Sequence, residues 1–188
     1  MYQANGSSSS PQNIHLHVAD HWSTTKKLVF TALMAALAAL LQSAGGLVPG
    51  IGFFISPFTT LPILLSSLVS LQYGIYSYVL TNFLLLLIEP TELFIFPFTT
   101  GTLGLALGWG LVHLKSRLIN VLLSGGSLFL GICLPLYILR FPVFGPLTSH
   151  SIDIQVLSVI FIFSLVYSSI WVIFSLFFIK KIKRWFYR

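Results

Sequence analysis

Hydrophobic positions run through this chain in long blocks that charge interrupts at only a few places. Between Lys27 and Glu89 lie 61 consecutive residues without Asp, Glu, Lys or Arg, and further uncharged stretches follow at 93–114, 118–139 and 154–179. About 20 apolar residues in a helix span the roughly 30 Å hydrocarbon core of a bilayer. The last three stretches fit one span each and the first fits three, which predicts an all-α integral membrane protein with six transmembrane helices over residues 24–184. The long stretch divides at two turn signals, Gly45-Gly46-Leu47-Val48-Pro49-Gly50 and Leu71-Gln72-Tyr73-Gly74. The first three helices are then expected near 26–44, 57–71 and 74–88.

Residues 1–23 are polar, with a serine run at 7–10 and three histidines, His15, His17 and His21, and no apolar core precedes the first span. They read as a cytosolic tail rather than a signal peptide. The histidines have no cysteine or paired carboxylates near them, so a polar tail is preferred to a metal site.

Composition sharpens the class. The chain is 56% hydrophobic and 7% charged, against about 25% charged in an average protein. So few charges could not cover a water-facing surface, and so many Leu, Ile, Val and Phe exclude disorder. Basic residues near span ends mark the cytoplasmic side. Lys26 and Lys27 precede the first span, Lys115 and Arg117 lie between the fourth and fifth, and Lys180, Lys181, Lys183, Arg184 and Arg188 follow the sixth. Nine of ten basic residues thus share one face, while Glu89, Glu92, Arg140 and Asp153 share the other. Both termini are expected in the cytoplasm, and the net charge needs no nucleic acid to explain it. The basic and aromatic segment 180–188 reads as a cytosolic anchor on anionic lipid. Cys133 is the single cysteine; it can form no disulfide within the chain and reads as a packing residue.

Ile55-Ser56-Pro57-Phe58-Thr59-Thr60 recurs as Ile95-Phe96-Pro97-Phe98-Thr99-Thr100, at an offset of 40 residues. Pro suits the first turn of a helix and Thr can accept from its free N–H groups. Each copy reads as a helix start at the outer face. Two readings remain open: a recurrent way of beginning a helix, or two positive helix ends pointed at one polar ligand. Glu89 and Glu92 precede the second copy. Ionisable groups at such depth are functional candidates, although they could also serve only to solubilise a loop.

Two patterns of small residues complete the inventory. Gly101, Gly104 and Gly108 lie at helical spacing, and the G-x-x-x-G pair Gly104/Gly108 permits close helix approach in a membrane. Ala32/Ala36 and Ala35/Ala39 form overlapping A-x-x-x-A pairs in the first span, ahead of a Gly-rich outer segment, 44–56, with the composition of a mobile lid.

With Thr24-Thr25-Lys26-Lys27 before that Ala-rich helix, Leu61-Pro62-Ile63-Leu64-Leu65-Ser66-Ser67-Leu68 with Tyr73-Gly74, and Phe96-Pro97-Phe98-Thr99-Thr100-Gly101-Thr102-Leu103-Gly104, the layout resembles an S component of an energy-coupling factor (ECF) transporter. These are the substrate-binding membrane subunits of vitamin-importing ATP-binding-cassette transporters. The resemblance is architectural and covers about residues 24–184. It implies that Ala32, Ala35, Ala36 and Ala39 contact a transmembrane coupling subunit, which works with two ATPase subunits. It implies a ligand enclosed near the outer side by 45–56, 89–96, Thr99, Thr100 and 140–153. Within those segments Glu89, Glu92, Thr99, Thr100, Arg140 and Asp153 are the expected ligand residues, Glu89 suiting a cationic group and Arg140 a carboxylate. A small vitamin-like solute is the implied substrate, with no cofactor, in a bacterial cell membrane. Metal-uptake members begin Met-His, whereas this chain begins Met1-Tyr2, which disfavours nickel or cobalt.

No G-x-x-x-x-G-K-[ST] occurs, so energy would come from the partner ATPases. A stand-alone permease is the alternative. An intramembrane enzyme fits less well, because neither G-x-S-x-G nor H-E-x-x-H is present. His113 stands alone at the inner end of the fourth span, and His150 with Asp153 reads as solvated loop.

Overall fold

The fold was analysed in a computed structural model that describes residues 21–48, 50–138 and 154–186, with side chains to residue 181. The Ser23 side chain accepts from the Lys26 N–H at 3.3 Å and so caps the first helix, α1 (Thr24–Leu47). This helix ends at Val48, which is extended (φ −118°, ψ 91°) and precedes a proline, a position that disfavours helical backbone. Gly50 then turns the chain at φ +80°, a conformation open to glycine. A short helix α2 (Gly52–Ile55) passes through a 3₁₀ turn (Ser56–Thr59) into α3 (Thr60–Val69). A Cβ on Gly52 would lie 1.8 Å from the Ala44 carbonyl oxygen. Only glycine lets the chain fold back so closely on the end of α1.

Helix α4 (Leu71–Ile88) follows α3 after the single residue Ser70, which is fully extended. A 3₁₀ turn (Pro90–Phe94) leads to α5 (Thr100–His113), and α6 (Arg117–Cys133) ends in a π-helical turn (Leu134–Ile138). Pro135 lies in that turn and has no N–H to continue the α-helical ladder. The last helix, α7 (Ile154–Phe186), has 33 residues and is about 50 Å long at 1.5 Å per residue. No strand occurs among the described residues.

The segments 24–47, 52–69, 71–88, 117–138 and 154–181 are long and apolar enough to cross a membrane. Helix α5 has only 14 residues, about 21 Å, because 90–99 forms 3₁₀ and turn structure, so that the helix fills only part of the uncharged block 93–114 expected to hold a span. Three other boundaries also differ from the sequence reading. Helix α1 runs through Gly45 and Gly46, α4 includes Leu71 to Gly74, and most of the expected lid at 44–56 is helical.

Neighbouring helices fix the layout. Thr81 Oγ1 donates to the Ala35 carbonyl at 3.3 Å, and α1 and α4 run parallel with their C-terminal ends together. Helix α3 lies against α1, α4 and α5, and α5 packs on α6, which packs on α7. Helices α3 and α5 are parallel and in tight register. A Cβ on Gly104 would lie 2.8 Å from Ile63 Cβ, and one on Gly108 would lie 2.3 Å from Ser67 Cβ. The G-x-x-x-G pair therefore brings α5 onto α3.

One apolar core joins Leu64, Leu68, Leu103, Leu107, Leu128, Ile132 and Trp171, and a second joins Ala38, Ala39, Ile63, Leu85 and Phe96. Buried positions also include Thr31, Ser67, Thr81, Ser124, Ser164 and Ser175, whereas Leu33, Phe83, Leu122 and Ile170 are exposed. Large apolar groups outside and small hydroxyl residues inside suit a hydrocarbon solvent. The hydroxyls satisfy themselves on their own helices, as in Thr31 to Lys27 O (2.8 Å), Ser67 to Ile63 O (2.8 Å) and Ser175 to Trp171 O (2.6 Å).

Candidate functional site

The C-terminal end of α1 meets the 3₁₀ turn Pro90–Phe94 and the start of α5, and buried polar groups join them. Gln42 Nε2 donates to Glu92 Oε2 at 2.7 Å, and Thr100 Oγ1 donates to Gln42 Oε1 at 2.8 Å. Gln42 is fully buried and Glu92 is 5% exposed. One amide thus bridges a carboxylate and a hydroxyl from segments 50 and 58 residues away. Such groups are costly to bury singly, so the three depend on one another.

The carboxylates lie where glycine leaves room. A Cβ on Gly45 would lie 2.9 Å from Glu92 Oε1 and 3.3 Å from Ser56 Cβ. One on Gly46 would lie 3.0 Å from Glu89 Cδ. Glu89 is half-buried and accepts a hydrogen bond from Thr91 Oγ1. Burial raises the Glu92 carboxyl above its ordinary value of 4.5; the Gln42 hydrogen bond opposes this and the Glu89 charge adds to it. Both acids face the C-terminal end of α1, whose dipole also disfavours negative charge.

Thr100 belongs to this site. Thr99 is buried nearby but turns its hydroxyl to the Ile95 carbonyl at 2.7 Å. Arg140, Asp153 and His150 lie outside the described residues, as do His15 and His17. Among the described residues no group of three or more His, Cys, Asp or Glu could hold a metal ion.

Both copies of the repeat immediately precede helices, α3 at Thr60 and α5 at Thr100. Neither begins with a threonine cap, because Thr59 and Thr99 make no side-chain capping bond. The Thr60 N–H is already bonded within the preceding 3₁₀ turn, and the Gly101 N–H bonds to Phe96 O at 2.9 Å. The expected pair of open helix ends is therefore replaced by closed turns. The second copy has a packing role as well, since a Cβ on Gly131 would lie 1.6 Å from Phe98 O.

The four alanines divide. Ala35 and Ala39 are fully buried within the chain, whereas Ala32 is exposed and Ala36 half-buried. His113 stacks on Trp109, and its Nδ1 lies 3.0 Å from Trp109 O.

Gln42 escaped the sequence reading. Its signal was available: an amide within an Ala/Leu run, near the end of an apolar helix, needs a partner. Elsewhere Tyr78, Val79, Asn82, Phe83, Leu86 and Leu93 line an open groove of about 360 Å³. Opposite ends of the bundle differ in charge. Glu89 and Glu92 mark one, and Lys26, Lys27, Lys115, Arg117, Lys180 and Lys181 mark the other.

These features define an all-helical protein with several segments suited to crossing a membrane and an acidic polar cluster at one end. Compared with protein-family models, curated proteins and solved structures, the chain matches none.

Proposed function

We propose that this protein is the substrate-binding S component of an ECF-type importer, taking up a small vitamin-like solute across a bacterial cell membrane. In this reading the chain crosses six times, with α5 as the fourth crossing and both termini cytoplasmic. Parallel packing of α5 on α3 supports α5 as a crossing, and the basic end of the bundle supports the orientation. The observation that carries the binding function is the Gln42–Glu92–Thr100 cluster, with Glu89 beside it, at the end opposite the basic residues. Polar groups converging from three segments of an apolar bundle suit capture of a small polar solute.

Release to the cytosol would rest on a coupling subunit and two ATPase subunits. Ala32 and Ala36 are the small-residue pair left outward for a coupling helix, because Ala35 and Ala39 are used within the chain.

Native mass spectrometry of protein purified from its own membrane tests this directly. A retained small molecule, lost in Glu92→Ala, together with co-purified coupling and ATPase subunits is the expected result. A retained molecule without those subunits would favour a stand-alone permease, and absence of both would overturn the reading.

A further inference from the structure

Glu92 is nine-tenths buried in a place that offers its negative charge little support. Gln42 Nε2 donates to its Oε2 at 2.7 Å. Its other oxygen, Oε1, faces Gly45 and Ser56. The elements packed around it contribute Gln42, Gly45 and Gly46 from α1, Ser56 from the 3₁₀ turn before α3, and Thr100 from α5. None of these titrates. The titratable neighbour on its own segment is Glu89, a like charge, and no described Lys, Arg or His reaches the cluster. Carbonyls at the end of α1 present further negative partial charge.

We infer that Glu92 is a proton-dependent latch: as the neutral acid it holds the Pro90–Phe94 turn against α1 and α5, and its ionisation loosens that turn. The balance of contacts requires this direction. One amide hydrogen bond favours the carboxylate, whereas burial, the neighbouring carboxylate and the helix end all oppose it. The raised Glu92 carboxyl agrees with that balance. Above its midpoint, holding the site closed means keeping a charge in a poorly solvated place. The closed population then falls by up to tenfold for each pH unit. The latch regulates the site proposed above for solute capture, but its chemistry requires neither solute nor partner subunits.

Hydrogen exchange of the purified protein, read by mass spectrometry over residues 89–99 and corrected for intrinsic pH dependence, tests the latch without any ligand. Protection in the wild type should fall from pH 5 to pH 8, by up to about tenfold for each pH unit above the Glu92 midpoint. Glu92→Gln keeps the shape without the charge, and should hold its pH 8 protection at the wild-type pH 5 level. Glu89→Gln removes a like charge that raises the Glu92 carboxyl, and should move the midpoint to lower pH. A midpoint that stays in place or moves to higher pH would overturn the role of Glu89 in the latch. Wild-type protection that is flat with pH, or Glu92→Gln protection reduced at both pH values, would overturn the latch. A flat profile in protein that still retains its solute would leave the transport reading standing alone.

Discussion

At Gln42 one side chain satisfies two others, so its removal exposes more than its own contacts. Gln42→Ala leaves the Glu92 carboxyl and the Thr100 hydroxyl without their partner in a buried place. A loss of about 1–3 kcal/mol is expected for such an orphaned group, read as a lowered unfolding midpoint in denaturant titration. Glu92 adds a pH dependence of definite sign. Its carboxyl is raised in the fold, so the folded state binds the proton more tightly than the unfolded chain does. Its stabilising contribution is complete below the ordinary value of 4.5 and is lost as pH rises through the folded value. Melting followed by intrinsic fluorescence should therefore show a midpoint that declines above that pH in the wild type and less steeply in Glu92→Gln. The acids themselves were legible as isolated carboxylates between apolar spans. Their partners were not, because contact between Gln42 and Glu92 depends on two helices ending side by side.

For the helices, the glycines carry the most instructive differences. Gly108→Val would drive a side chain into Ser67, whose Cβ lies 2.3 Å from the Cβ position. Overpacking of this kind costs about 1–3 kcal/mol. Gly126→Ala, on a helix position with nothing within 4 Å, should be neutral or stabilising by up to about 1 kcal/mol. Parallel unfolding titrations of the two variants check the contrast. The same contacts explain why turns were misplaced from sequence. Gly74 looked like a breaker, yet it lies within α4 and leaves room for Ser67, whose Oγ is 2.2 Å from its Cβ position. Gly45 and Gly46 looked like a turn, yet they continue α1 and make space for the two carboxylates. In a tightly packed bundle a glycine can mark closeness rather than a bend. Both copies of the Pro-Phe-Thr-Thr repeat lead into helices, but Pro57 lies in the 3₁₀ turn that joins α2 to α3 and Pro97 in a turn before α5, so neither stands in the first turn of an α-helix. The repeat's threonine caps did not form, because the preceding turns had already bonded the N–H groups.

Across the whole molecule, the charge asymmetry read from sequence coincides with the two ends of the bundle. Hydropathy made the all-helical class plain, since the described residues of the long uncharged blocks are mostly helix. It overestimated the fourth span, in the block 93–114, because composition does not distinguish helix from the turns at 93–99. Six crossings make a topological prediction that five would not. In a Cys133→Ser background, a cysteine placed at Thr91 should react with a membrane-impermeant maleimide added to intact cells. One placed at Lys115 should react only after the membrane is opened. Reaction of both from the same side would remove α5 as a crossing.

Ser70 alone separates α3 from α4, and both helices are apolar through almost their whole length. A one-residue connection leaves no slack for the two to enter a bilayer separately during synthesis. In the six-crossing reading they enter as a single hairpin with Ser70 at its tip, and α1, made before it, and α5, made after it, pack on that unit.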